Sequence, residues 1–68
     1  MAEREWKWVG NGVYEILREG SALILVRVAE IGTGVYKWRA FNGTTYQHGE
    51  ESTDAQARAT ALRVAGLT

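Results

Sequence analysis

The sequence has no cysteine and no proline, a single histidine, and no excess of charge, with eight Lys and Arg against eight Asp and Glu. Each shortage removes a class of explanation. Without cysteine there is neither a disulfide nor a thiolate metal site, and one imidazole cannot build a zinc centre, so the usual staples of small domains are missing. A formal net charge of zero argues against strong non-specific attraction to nucleic acid or to an anionic membrane. The longest uninterrupted apolar run, Ala22 to Val26, has five residues, against the roughly 20 needed to span a bilayer. Glu3, Arg4 and Glu5 stand where a signal peptide would have its apolar core. The expectation is a soluble, cytoplasmic protein.

What is present is a short chain, 68 residues with 46% hydrophobic, 24% charged and eight glycines. That length predicts one domain over residues 1–68, with a radius of gyration of about 11 Å. A single core of this size supplies only about 3–5 kcal/mol and leaves no room for a deep pocket. Stability must come from packing, within the chain or shared with a partner.

Residues 1–5 read as a polar lead-in, and a sheet is expected over 6–47. Trp6-Lys7-Trp8-Val9 alternates ring and non-ring side chains before a Gly10-Asn11-Gly12 turn. Val13 to Leu17 reads as a second strand, Ser21 to Glu30 as a long third one, and Val35 to Phe41 as a fourth. Asn42-Gly43 is a strong two-residue turn signal, so Thr44-Thr45-Tyr46 adds at most a stub. From Ser52 the pattern changes. Thr53 can cap a helix with Gln56 as its reciprocal partner, Asp54 faces the positive helix end, and alanines continue to a stop at Gly66. The helix is expected over 53–65. The fold class is therefore α+β: an antiparallel meander of three to four strands followed by one C-terminal helix packed on one sheet face.

Turn chemistry predicts the register. A three-residue loop Arg18-Glu19-Gly20, with Gly20 left-handed, sets Leu17 opposite Ser21. Comparable loops at Gly10–Gly12 and Gly32–Gly34 then place Trp6, Trp8, Tyr14, Ile16, Ala22, Ile24, Val26, Val28, Tyr36, Trp38 and Ala40 on one side, beneath the helix. The other side receives Val13, Glu15, Leu17, Leu23, Leu25, Arg27, Lys37, Arg39 and Phe41. In this register Val13, Leu25 and Phe41 form one row, with Leu17 and Leu23 beside it, an apolar patch that predicts a partner surface. Arg27 opposes Arg39 with Lys37 nearby. That arrangement repels unless an acidic group or a bound anion lies between them.

Catalytic constellations are not assembled. His48 sits in a polar stretch with no serine, cysteine or second histidine near it, and reads as a surface residue. Glu50, Glu51 and Asp54 are explained by the helix start they precede rather than by a metal. The glycines fall at strand ends, outside nucleotide-loop spacing. Trp and Tyr side chains of inner parity favour core packing over base stacking. No enzyme activity, metal or cofactor is expected. Val13, Leu17, Leu23, Leu25 and Phe41 are the predicted protein contacts, and Arg27, Lys37 and Arg39 the predicted anion or nucleic-acid contacts.

Two families resemble parts of this pattern. Tyr36-Lys37-Trp38-Arg39-Ala40, Asn42-Gly43, Tyr46, Gly49, Thr53 and the alanine-rich helix resemble the closing half of the three-strand-plus-helix DNA-binding domains at the N-termini of phage integrases and in plant ethylene-response factors. Those domains lay their sheet in the major groove. The resemblance implies DNA contacts from Lys37 and Arg39, with Arg27 joining them. In size, element order and composition, the whole chain resembles the small sheet-plus-helix proteins commonly encoded by phages and prophages. Several of those block a host enzyme or defence complex, anti-CRISPR proteins included. This implies a non-catalytic, phage-related interaction protein acting in the host cytoplasm, an inhibitor of a host complex being its most concrete form. A homodimer is expected, and DNA binding by the outer sheet face is the alternative.

Overall fold

A computed structural model describes residues 6–67, so the predicted lead-in at 1–5 lies outside the described residues. Five strands form one antiparallel sheet in sequential order: β1 (Lys7–Gly10), β2 (Val13–Leu17), β3 (Ile24–Gly32), β4 (Val35–Phe41) and β5 (Tyr46–Glu51). One helix, α1 (Asp54–Ala65), follows and packs on a single face of the sheet. The fold is the expected α+β meander plus helix, with a radius of gyration of 11.3 Å.

All four hairpins differ from expectation; at β3–β4, Gly32 opposes Val35 across Thr33-Gly34 with a register shift at Ile31. At β1–β2, Asn11 and Gly12 make a two-residue turn with both φ positive, 53° and 71°. A register shift at Val9 accompanies it, so Trp8 still opposes Tyr14. The β2–β3 connection is longer than predicted. Arg18 N–H donates to Leu23 O (2.8 Å), Ser21 N–H donates to Arg18 O (3.1 Å), and Ser21 Oγ accepts from Leu23 N (3.1 Å). Leu17 consequently opposes Ile24, not Ser21, and Ile16 opposes Val26. Over most of the hairpin the displacement is an even number of residues. Faces are preserved for Tyr14, Ile16, Val26 and Val28 while every neighbour changes.

The polar stretch after Asn42 is a full edge strand, where only a stub was predicted. Asn42 Oδ1 accepts from Thr44 N (2.9 Å) and Thr45 N (3.0 Å), closing a four-residue turn that delivers Tyr46 opposite Phe41. Along β5 the residue facing the core is Gly49, across which the Trp38 indole lies.

The core consists of Ile16, Val26, Val28, Trp38 and Ala40 from the sheet with Ala57 and Ala61 from the helix. Two fully buried alanines let α1 settle close to the strands. The helix backbone lies over β3, β4 and β5 and not over β1 or β2. Trp8, expected in the core, is therefore 64% exposed. Ala22 is exposed in the connection, and Ile24 turns to the opposite face beyond the register shift; neither joins the core. Arg58 extends the cover: its guanidinium lies 4.5 Å from the Tyr14 ring centroid and 4.9 Å from that of Trp6, with Nε 2.9 Å from Asp54 Oδ2.

Helix ends follow from local chemistry. Thr53 Oγ1 accepts from Gln56 N–H (3.1 Å) in extended backbone, φ −137°. The expected reciprocal bond is replaced: Gln56 Oε1 accepts from Ser52 Oγ (3.1 Å). Left-handed Gly66 (φ 73°) donates to Arg63 O and Leu67 N–H to Leu62 O, and the Leu67 side chain then packs on the core.

Candidate interaction site on the outer sheet face

The face away from the helix is organised around a row of ionisable residues crossing all five strands. Lys7 opposes Glu15, Glu15 opposes Arg27, Arg27 opposes Arg39, and Arg39 opposes His48. The Arg27–Arg39 juxtaposition is the one the register argument expects. Its acidic relief comes from Glu15, whose Oε2 accepts from Arg27 Nε (2.7 Å) and from a second guanidinium nitrogen. Glu15 retains only 9% of its side-chain exposure while Arg27 retains 43%. A carboxylate so covered needs its ion pair, because an unpaired buried charge is costly.

Arg39 is placed differently. Its guanidinium lies 4.5 Å from the Tyr46 ring centroid. Tyr46 in turn reaches from β5 to β3, its hydroxyl donating to Ile24 O (2.9 Å), and its ring tilts against Phe41 with centroids 5.1 Å apart. Lys37, on β4, opposes Ala29 on one side and Glu50 on the other. Between these groups lies a hollow of about 350 Å³ whose lining includes Arg27, Ala29, Lys37, Arg39, Tyr46 and His48. A smaller one of about 120 Å³, lined by Ile24, Arg27, Arg39 and Tyr46, adjoins it.

The predicted contact residues are partly brought together. Val13 opposes Ala29, so the charged row separates it from Leu25 and Phe41, and the single row of Val13, Leu25 and Phe41 does not form. Leu17 opposes Ile24, Leu23 lies in the β2–β3 connection and Leu25 at its register shift. All five predicted apolar residues are half-buried. The large hydrophobic side chains most exposed among the described residues are instead Trp8, Val9 and Ile31, two of them at register shifts. The contribution of Ile24 and Tyr46 was missed. Tyr46 could only have been found by recognising β5 as a strand, which sets it opposite Phe41.

Glu50, Glu51 and Asp54 have separate tasks: Glu50 opposes Lys37, Glu51 accepts from Thr60 Oγ1 (3.3 Å), and Asp54 pairs with Arg58. Among the described residues no cluster of three or more His, Asp or Glu side chains is arranged to hold a metal. None of the described helices is long and apolar enough to cross a membrane. Compared with protein families, curated proteins and solved structures, the chain matches none.

Proposed function

We propose that this chain is a non-catalytic protein-interaction module acting through the outer face of its sheet. The observation that carries the reading is one-sided cover. The only helix among the described residues packs opposite, while Leu17, Ile24, Leu25, Phe41 and Tyr46 occupy a face with no second layer. Sheets of this kind bury their second face against another molecule or solvate it with polar residues; this one carries a charged row flanked by half-buried apolar side chains that no element among the described residues covers. The partner is a protein, and self-association into a homodimer is the simplest case. An inhibitor of a host complex, such as a CRISPR defence complex, is the most specific form, and it draws on the resemblance to phage-encoded proteins.

DNA binding by the same face is the second reading, favoured by Arg27 directly opposite Arg39 with Lys37 beside them. The ion pair of Glu15 with Arg27 and a formal net charge of zero weigh against it, since a polyanion is held by unneutralised positive charge. The discriminating experiment is Leu25→Glu, followed by sedimentation and by partner capture. The expected outcome is loss of association with the circular dichroism of the folded chain retained. Association unaffected by the charge would overturn the reading. For the DNA reading, replacing Arg27 and Arg39 by Ala should weaken duplex binding and flatten its salt dependence. No wild-type binding at low salt would end it.

A further inference from the structure

We infer that the outer-face hollow is a carboxylate-binding site, built to receive an acidic side chain of the partner protein. This rests on the proposed function and names the chemistry of its partner. Three features converge on one anion. Glu15 lies on the β2 side of Arg27, so nothing acidic stands between Arg27 and Arg39, and Arg39 has no ion-pair partner among the described residues. The Arg39 guanidinium rests over the Tyr46 ring and, among the described residues, makes no ion pair, so its N–H donors are free for the paired hydrogen bonds a carboxylate accepts. The platform is itself fixed, because the Tyr46 hydroxyl is tied to Ile24 O at 2.9 Å. The donor is therefore placed before any ligand arrives, which lowers the cost of binding.

Charge selects a carboxylate over a run of phosphates. Among the described residues Glu15 neutralises Arg27 and Glu50 stands directly across from Lys37, whereas the residues directly across from Arg39 are Arg27 and His48, so Arg39 is the cation of the three with no carboxylate opposite it. A polyanion needs several such cations; one carboxylate needs one. The adjoining hollow is lined by Ile24 and Tyr46 beside the same Arg27 and Arg39, and Phe41 packs on the Tyr46 ring, so an apolar residue next to the acidic one completes the match.

The test is an NMR titration of the isotopically labelled full chain. The titrants are a capped peptide of alternating leucine and glutamate at millimolar concentration, its glutamine counterpart, and a short DNA duplex. The glutamate peptide should shift the Arg39 side-chain resonance and the amides of β3 to β5 saturably. The glutamine peptide should bind about tenfold more weakly, as should the glutamate peptide to Arg39→Gln, the loss of one charge-assisted pair. Arg39 is exposed, so the variant's amide spectrum should stay that of the folded chain; Arg39→Lys should bind with intermediate strength if planar pairing matters. Equal binding of the two peptides, no shifts, or tighter binding of the duplex would overturn the inference. If Leu25→Glu abolishes association while Arg39→Gln changes nothing, only the carboxylate site falls. If neither substitution matters, the outer-face reading falls with it.

Discussion

At the scale of single residues, the tightest constraint is the contact between Gly49 and Trp38. A Cβ at position 49 would stand 2.9 Å from both Cζ2 and Nε1 of the indole, and the ring is pinned in the core among Val28, Ala40 and the helix. The Gly49 backbone is not left-handed, so the conflict is purely steric. Gly49→Ala should destabilise the fold by about 1–3 kcal/mol, the usual cost of overpacking, seen as a lower urea midpoint at unchanged slope. Tyr36 supplies the pH-dependent case. The Glu30 carboxylate, whose Oε2 accepts from the Tyr36 hydroxyl at 3.5 Å, is the main cause raising the phenol above its ordinary 10.0, with partial burial, Asp54 and that hydrogen bond adding to it. A raised phenol binds its proton more tightly folded than unfolded. Its contribution is therefore present below about pH 10 and lost as pH rises through the folded-state value. Urea midpoints should fall above that pH, and Glu30→Gln should bring the phenolate titration, followed by ultraviolet absorbance, back toward the ordinary value. An unchanged titration would show that Glu30 does not act on the ring.

At the scale of elements, the helix and the fifth strand make opposite cases. Everything that starts and stops α1 is local: Thr53 receives the Gln56 N–H, Asp54 sits in the first turn, Arg63 in the last, and Gly66 takes the left-handed cap. Such signals are legible because each acts within a few residues of the feature it sets. Thr53→Ala should cost about 1 kcal/mol, measured as a lower thermal or urea midpoint, while Thr53→Asn should cost little. By contrast, Tyr46-Gln47-His48-Gly49-Glu50 has no apolar alternation. It becomes a strand because β4 offers an open edge and Trp38 needs a neighbour without a side chain. That requirement is tertiary, and no local propensity expresses it.

At the scale of the whole molecule, one helix covers three of five strands, and the rest follows from that shortfall. A twelve-residue helix is about 18 Å long, too short to cover the sheet by itself. Arg58 extends over Tyr14 and Trp6, Trp8 stays uncovered, and among the described residues no helix or strand lies across the far face. Leu25→Glu is the whole-molecule prediction, because a charge on that face should spare the core on the other side and act on association alone. A Leu25→Glu chain that fails to fold as an isolated subunit would instead place Leu25 among the residues that hold the monomer together.

The sequence by itself determined the order of the first four strands and the helix, the Thr53 and Gly66 caps, and the shared face of Tyr14, Ile16, Val26, Val28, Trp38 and Ala40. Turns, caps and a period of two are properties of neighbouring residues, and a slip by an even number of positions leaves faces intact. Only the tertiary structure decided that Glu15 meets Arg27, that Tyr46 lies beneath Arg39, and that the charged row divides Val13 from Leu25. Those pairings depend on how many residues the Arg18–Leu23 connection absorbs and on whether an edge strand forms, and the ladder settles both by joining residues distant in the chain.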